Sequence, residues 1–267
     1  MKFSIPLKDI LLGPGKRFDS SVNTEAEVIA FIKKTYGVIA SSMDITVENG
    51  MVCVTFKDAA PAKVKEAIEH FQKAVNKAQG GKLSDAIKLF KSVLEVIPEH
   101  VDARRNLAKA YLDLGNIDQA KKQLGICIQV NQKDCWSYIM LGNIYTKHER
   151  NLDVAEFYYE CGLEHHPQDG MLLNNYANLM IEKGNFTRAE ELFKKCLTLK
   201  PVSPNSYFGL ALLYRITEHP EESLKVLERL FILMPQTPGV ESSPVYNEAR
   251  NLYSEISAQI KTKNSTH

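Results

Sequence analysis

A period of 34 residues runs through most of this chain and constrains its fold more than any other sequence feature. Prolines keep this period at three positions: Pro167, Pro201 and Pro235. A series of small residues also keeps it, with one extra residue before its third member: Ala86, Ala120, Ala155, Ala189 and Ser223. A large apolar residue lies four positions after each small one, as Phe90 and Leu124 show. Because several series share one period and one insertion, the chain is predicted to consist of tandem structural units.

Each period predicts two helices. Apolar residues recur at helical spacing from Leu107 to Leu112 and again from Ile117 to Cys127. Between such stretches lie the pairs Gly115-Asn116 and Gly184-Asn185, and glycine tolerates the left-handed conformation that ends a helix. The small residue of each unit allows close approach of a neighbouring helix, and the large residue fills the remaining space. The period therefore predicts stacked helix–turn–helix units.

This pattern resembles the tetratricopeptide repeat (TPR), a helix–turn–helix family with the same period. The resemblance is carried most closely by Leu173, Asn174, Asn175, Tyr176, Ala177, Asn178, Gly184-Asn185, Ala189-Glu190, Phe193 and Pro201. Five repeats are predicted, at 66–100, 101–134, 135–169, 170–203 and 204–237. The first departs from the pattern at Lys77, the second lacks the closing proline, and the fifth has Glu218-His219 where Gly-Asn is usual.

The resemblance implies a mostly α fold, a right-handed α-solenoid of these repeats with a small α+β segment at its N-terminus. The predicted divisions are 1–60 for that segment, 61–237 for the repeats, and 238–267 for a capping helix and a disordered tail. An amphipathic pattern over residues 243–261 predicts the capping helix. We expect this helix to cover the apolar end of the stack, because terminal repeats need a polar outer face.

The first sixty residues show no resemblance to a known family and follow other patterns. Thr24 to Tyr36 predicts a short helix with Gly37 as its stop signal. Asn49-Gly50 predicts a hairpin turn, because this dipeptide between β-rich runs favours the tight turns that join two strands. Leu11 to Gly15 is predicted to form a turn. The predicted strands are Phe3–Leu7, Asp44–Glu48 and Met51–Phe56.

Charge, hydropathy and cysteine usage limit the classes of partner and the cellular compartment that can be expected for the chain. The chain has 33 Lys and Arg against 32 Asp and Glu, and this balance argues against nucleic acid, whose phosphates usually require a basic surface. No apolar stretch approaches the roughly 20 residues of a membrane span, and charges interrupt the N-terminus where a signal peptide would be apolar. Five cysteines without a Cys-x-x-Cys pair do not form a disulfide framework. We therefore predict a cytoplasmic protein without membrane insertion.

No motif favours catalysis, a cofactor or a metal. The run from Gly13 to Arg17 lacks the first glycine and the Ser or Thr of a phosphate-binding P-loop. Cys161 and His165 lie one helical turn apart, but no nearby cysteine or histidine completes a set of four ligands. Cys127 and Cys196 occupy equivalent small positions and are predicted to be core residues. We expect a protein that is not an enzyme and has no cofactor.

Polar residues on the first helix of each repeat are the candidate binding residues. In a stack of this family the first helices line a concave groove, where polar residues have little packing reason to occur. In relatives, asparagines at such positions can bind a peptide main chain, because an amide donates and accepts hydrogen bonds at once. The alternative is that they are ordinary solvated helix positions. The predicted partner-binding residues are Arg105, Asn106, Lys109, Trp136, Asn143, Lys147, Asn174, Asn175 and Asn178.

The predicted function is a non-enzymatic protein-interaction scaffold or adaptor whose groove binds a peptide or a helix of another protein. One alternative is a structural or assembly subunit that oligomerises through the convex face or the C-terminal helix. Another makes the N-terminal segment the active part and the repeats its targeting arm. Some relatives hold the C-terminal carboxylate of heat-shock chaperones with a five-residue clamp over three repeats. Set on repeats three to five, its three basic positions are filled by Ile139, Asn205 and Gly209, and set on repeats two to four, three of its positions are filled by Lys109, Met140 and Met171. The clamp is incomplete in both placements, so chaperone-tail binding is not predicted.

Overall fold

The computed structural model describes residues 2–6, 11–13, 16–17, 24–35, 43–56, 62–199, 203–234 and 243–265. The chain divides into two compact units, Met1–Ser137 and Tyr138–His267. This boundary lies inside the predicted repeat region, at the first helix of the third repeat, and does not coincide with the divisions predicted after residues 60 and 237. The prolines Pro201 and Pro235 lie outside the described residues.

A small sheet and a helix begin the first unit. Strands β1 (Lys2–Pro6), β4 (Met43–Glu48) and β5 (Met51–Phe56) form an antiparallel sheet in the order β1-β5-β4, and α1 (Glu25–Thr35) lies between β1 and β4 in sequence. The turn residues Asn49 and Gly50 both have positive φ, as a tight hairpin turn requires. The predicted helix and three strands are therefore confirmed over the described residues, outside which their predicted last residues Leu7 and Tyr36 lie.

The turn predicted from Leu11 to Gly15 is wrong in its first part. Leu11–Gly13 forms strand β2, which pairs antiparallel with β3 (Lys16–Arg17). A turn-forming composition does not prevent extended backbone when a second strand supplies hydrogen-bond partners. Pro14 and Gly15, like the predicted stop signal Gly37, lie outside the described residues.

Five helix pairs and one further helix follow, and the five predicted pairs are confirmed. The first unit contains α2 (Ala62–Gln79), α3 (Leu83–Val96), α4 (Val101–Asp113) and α5 (Ile117–Val130), and α6 (Cys135–Lys147) begins at its end. The second unit continues with α7 (Leu152–His165), α8 (Gly170–Glu182), α9 (Phe186–Leu197), α10 (Pro204–Ile216), α11 (Pro220–Leu233) and α12 (Pro244–Ser265). No described helix is both long enough and apolar enough to cross a membrane.

The last helix, α12, is longer than its sequence pattern indicates. It continues to Ser265, so residues 262–265, predicted as part of a disordered tail, are helical. Its apolar side packs against α10 and α11, with Ala249, Leu252 and Ile256 buried there. The helix thus covers apolar surface of the fifth pair, as the pattern predicts.

The repeating small and large residues form the core of each pair. All five members of the small series are fully buried, and so are the large residues four positions later, from Phe90 to Leu227. The third pair shows how the size of the residue on the first helix is matched to the size of the residue that packs against it from the second helix. Gly142 replaces the alanine found at this position in other repeats, because a Cβ atom there would lie 2.5 Å from Cε1 of Tyr159. The tyrosine ring therefore occupies the space that an alanine methyl group takes elsewhere.

The turns within the pairs keep one backbone conformation while their residues vary. Gly81, Gly115 and Gly184 have φ between +74° and +76°. Arg150 and Glu218, which have side chains, adopt the same left-handed region with φ of 53° and 61°. The departure from the repeat pattern in the fifth turn therefore changes the residue and not the backbone, at a typical cost of about 1 kcal/mol for a non-glycine residue.

Candidate functional site

Arg105 of α4 lies in an ion-pair network inside the first unit. Its Nη1 donates to Oδ1 of Asp134 at 2.9 Å, and its Nη2 donates to Asp102. The Asp134 side chain is only 7% exposed and also accepts a hydrogen bond from the hydroxyl of Ser137. Burial raises the pKa of the Asp134 carboxyl, while Arg105 and Ser137 lower it. Two carboxylates thus compensate the charge of Arg105, which gives this residue a structural role that sequence analysis missed.

The other three predicted residues of the first unit are less constrained. Asn106 is half-buried and donates through Nδ2 to the carbonyl oxygen of Asp102 at 2.8 Å, one turn earlier in α4. Lys109 is exposed on the same helix and forms no ion pair within the described residues. Trp136 lies half-buried at the start of α6. Of the two cations predicted to bind a partner in this unit, Lys109 is therefore the accessible one.

A buried histidine, His100, caps the N-terminus of α4. The His100 side chain accepts a hydrogen bond at Nδ1 from the backbone N–H of Ala103, and its ring centroid lies 4.7 Å from that of Phe71. Burial lowers the pKa of His100 below 6.5, an effect that Arg105 reinforces and Asp102 opposes. A protonated ring would have no lone pair at Nδ1, so the helix cap requires neutral histidine.

The free energy of unfolding is therefore expected to fall as the pH drops below about 6.5 toward the folded-state pKa of His100. In that window the unfolded chain binds more protons than the folded chain, so acid favours unfolding. Urea denaturation at several pH values checks this, with His100→Asn as the control, because asparagine caps helices without titrating. A variant that loses as much stability as the natural chain between about pH 7.5 and about pH 5.5 would contradict the assignment.

In the second unit, Asn174 connects two repeats. Its Oδ1 accepts a hydrogen bond from the buried hydroxyl of Ser206 on α10 at 3.0 Å. The same hydroxyl lies 2.8 Å from Sγ of Cys196, which also contacts the carbonyl oxygen of Gly170 at 3.3 Å. Asn174 is thus tied to the α8–α10 packing, and its acceptor atom already has a partner inside the fold.

Asn175 and Asn178 form an accessible amide row on α8. Asn175 donates through Nδ2 to the carbonyl oxygen of Met171 at 2.8 Å, which orients the amide and leaves its Oδ1 without a partner among the described residues. Asn178 is exposed. Positions 171, 175 and 178 lie on one side of a helix, because their spacing of four and three residues matches the helical turn. Met171 is 43% exposed and adds an apolar surface to this row, which sequence analysis missed.

The neighbouring helix α10 extends this face. It packs against α8 and carries an exposed Asn205 with half-buried Phe208 and Leu212 at the following turns; both apolar residues also pack against the buried cluster of α10, α11 and α12. These three residues share one side of α10 by the same spacing argument. We call the surface formed by Met171, Asn175, Asn178, Asn205, Phe208 and Leu212 the amide face.

The two predicted residues on α6 differ in their availability. Asn143 accepts a hydrogen bond at Oδ1 from the hydroxyl of Tyr159 at 2.8 Å, so it is partly engaged in the core of the third pair. Burial raises the pKa of that tyrosine, which keeps its hydroxyl protonated and able to donate. Lys147 is exposed at the end of α6.

The cysteines have structural positions. Cys127 and Cys196 are buried as predicted, and each donates through Sγ to the carbonyl oxygen of the residue that begins the preceding first helix, Val101 and Gly170. Burial raises the pKa of Cys127 to about 11, so its thiol stays protonated. Among the described residues, no group of three or more His, Cys, Asp or Glu could hold a metal ion.

Comparison with known proteins agrees with this architecture. Two family models described as "Tetratricopeptide repeat" match residues 77–134 and 172–203. The BBSome complex member bbs-4 of Caenorhabditis elegans is 24% identical over 156 residues, which cover 58% of this chain and 34% of that protein. The BBSome complex member BBS4 of Bos taurus is 28% identical over 123 residues, which cover 46% of this chain and 23% of that protein. The chain thus spans about a third or less of the length of these relatives.

Solved structures show the same fold. Yeast Tom70 aligns with a TM-score of 0.61 and 18% identity, covering 73% of this chain and 41% of that chain. A thermophilic TPR protein of Thermus thermophilus aligns with a TM-score of 0.55 and 20% identity, covering 68% of this chain and 98% of that chain. At these identities the similarity shows the arrangement of helices.

Proposed function

Because the chain is a tetratricopeptide repeat protein, and such proteins are generally protein-interaction scaffolds, we propose that it is a non-enzymatic scaffold that binds an extended peptide segment of another protein at the amide face. The observation that carries the proposal is the accessible pair Asn175 and Asn178 beside apolar side chains of α8 and α10. A cytoplasmic location belongs to the same proposal.

The chemistry of the amide face favours an extended segment over a helix. A bound helix has its backbone N–H and C=O groups satisfied internally, whereas an extended peptide presents both groups to a partner. Each asparagine amide can donate to one such carbonyl and accept from one such N–H. Met171 offers an exposed apolar contact for peptide side chains, and Phe208 and Leu212 add the part of their surface that packing against α11 and α12 leaves exposed. The polar groups of this face are neutral amides, so they do not favour an acidic peptide over a neutral one.

The structural-subunit alternative receives no support from the last helix. The apolar side of α12 packs within the second unit, and the described residues of this helix include no large exposed apolar side chain. An apolar interface through α12 would therefore require α12 to leave α10 and α11. The amide face needs no such rearrangement.

We expect the double variant Asn175→Ala/Asn178→Ala to bind selected peptides about tenfold or more weakly, because two hydrogen-bonding amides are lost from the contact. Ligands would be selected from a displayed library of random peptides on the purified chain, and affinities measured by fluorescence anisotropy. Both positions are on a helix surface and alanine is a good helix former, so the melting temperature should stay within a few degrees.

The matched control is Asn247→Ala/Asn251→Ala, which removes two exposed amides one turn apart on α12. This control should leave peptide affinity unchanged. Equal affinities for the two double variants, with both folded, would contradict the proposal.

A further inference from the structure

One exposed aromatic ring lies within an acidic face of α7. Phe157 is 59% exposed, more than any other aromatic side chain in the described part of the chain. Asp153, Glu160 and Glu164 lie four residues before it and three and seven after it, so they share its side of the helix, and all three are exposed. Lys183 pairs with Asp153, but the carboxylates remain in excess. The ring meets that of the neighbouring Tyr158 edge-on, with centroids 5.5 Å apart, yet more than half of its surface stays exposed among like charges, so it can serve as an anchor.

The row of side chains along α5 in the first unit is interrupted at one position, Gly125, which we call the gap. Gly125 lies inside this helix, and a Cβ atom placed on it would meet nothing within 4 Å. Its equivalents in the other repeats all have long charged side chains: Lys91, Glu160, Lys194 and Glu228. A glycine inside a helix costs about 0.5–1 kcal/mol relative to alanine, and no packing contact in the described fold requires it. Lys122, one turn earlier, is exposed and forms no ion pair within the described residues.

The two parts of the chain that carry these surfaces have net charges of opposite sign. Lys and Arg outnumber Asp and Glu by four in residues 62–137, whereas acidic residues are in excess by three in residues 138–234. The helix with the gap therefore belongs to the basic part, and the helix with the exposed ring belongs to the acidic part. Opposite charge favours association of two such surfaces when they belong to different molecules.

We propose that a second copy of this chain covers this position: the Phe157 ring of one molecule packs onto Gly125 of another, with Glu164 facing Lys122 and Glu160, which also accepts a hydrogen bond from the Tyr176 hydroxyl at 3.0 Å, beside it. The chain itself supplies both an exposed apolar anchor and an open glycine position, beside which Lys122 forms no ion pair within the described residues while Asp118 pairs with Lys121. Because the two surfaces differ, the contact is head to tail, and it continues into rings or chains of molecules. It uses the second helices of the repeats, so it is independent of the peptide site proposed on the first helices.

Sedimentation velocity of the full chain at low ionic strength tests the proposal. The natural chain should increase in average mass with concentration, and Phe157→Ala should weaken this association about tenfold or more, because a central buried aromatic contributes most of such an interface. The control Phe186→Ala removes a ring that is 38% exposed on a different helix of the same unit, and it should change nothing. A natural chain that stays monomeric, or two variants that behave alike, would overturn the proposal.

Mixing two variants tests the two surfaces of the contact separately. Gly125→Lys fills the gap with the residue type of an equivalent position and favours the helix, so this variant should fold. Each of Phe157→Ala and Gly125→Lys alone should be monomeric, since each lacks one half of the contact. Their equimolar mixture should form a one-to-one dimer and nothing larger, because only one complementary pair of surfaces remains. A mixture that stays monomeric would refute the head-to-tail contact.

Discussion

Replacing Arg105 by alanine is expected to lower the free energy of unfolding by about 3 kcal/mol. The change leaves the Asp134 carboxylate, whose side chain is 7% exposed, without the guanidinium that bonds it at 2.9 Å. Removing one partner of a buried pair costs more than the pair contributes, because the remaining charge stays desolvated. Urea denaturation monitored by the fluorescence of Trp136, the single tryptophan of the chain, would measure the loss.

Lys109→Ala is the matched control for this prediction. It removes a cation from the same helix, four residues further on, but from an exposed position, so its effect should stay within about 0.5 kcal/mol. The double variant Arg105→Ala/Asp134→Ala should be more stable than the sum of the two single losses indicates, because the carboxylate that loses Arg105 is then only that of Asp102, which is 38% exposed to water. If Arg105→Ala and Lys109→Ala unfolded at the same urea concentration, Arg105 would be available to a ligand after all.

The second large effect is expected at Gly142. In Gly142→Ala the new Cβ atom would lie 2.5 Å from Cε1 and 2.6 Å from Cζ of Tyr159. The ring is almost fully buried and its hydroxyl donates to Asn143, so it has little freedom to move. Overpacking of this kind typically costs roughly 1–3 kcal/mol, and we expect about 2 kcal/mol, measured as a fall in the urea midpoint.

The same substitution at Gly125 should have the opposite sign. Gly125→Ala adds a methyl group where no atom lies within 4 Å, so it should stabilise the chain by about 0.5–1 kcal/mol through the unfolded state. At the third pair, Gly142→Ala/Tyr159→Leu should recover much of the loss, because other repeats combine alanine with leucine at these positions, as Ala108 and Leu124 do. Similar stabilities for the two Gly→Ala variants would disprove the packing account.

Local patterns in the sequence were enough to predict the helix pairs. The turn at Gly184 and the fully buried series from Ala86 to Ser223 depend on residues within one or two turns of each other, and such short-range signals are visible in the sequence. Sequence also indicated that the third repeat has one extra residue. It did not show that Glu218 keeps the left-handed backbone of Gly184. There the N–H of His219 donates to the carbonyl oxygen of Tyr214 at 2.8 Å, a helix-end hydrogen bond that holds this conformation against the residue's own preference.

The state of each candidate site residue was decided by the tertiary structure. Asn174 and Asn175 are adjacent in sequence, yet Ser206 engages the acceptor atom of the first while the second keeps an accessible amide. Arg105 lies on α4 one turn before the exposed Lys109, but Asp134, 29 residues later, compensates the charge of Arg105. Periodicity reports which side of a helix a residue occupies. Only packing determines whether a polar group there already has a partner from a distant part of the chain, because hydrogen bonds and ion pairs require proximity in space.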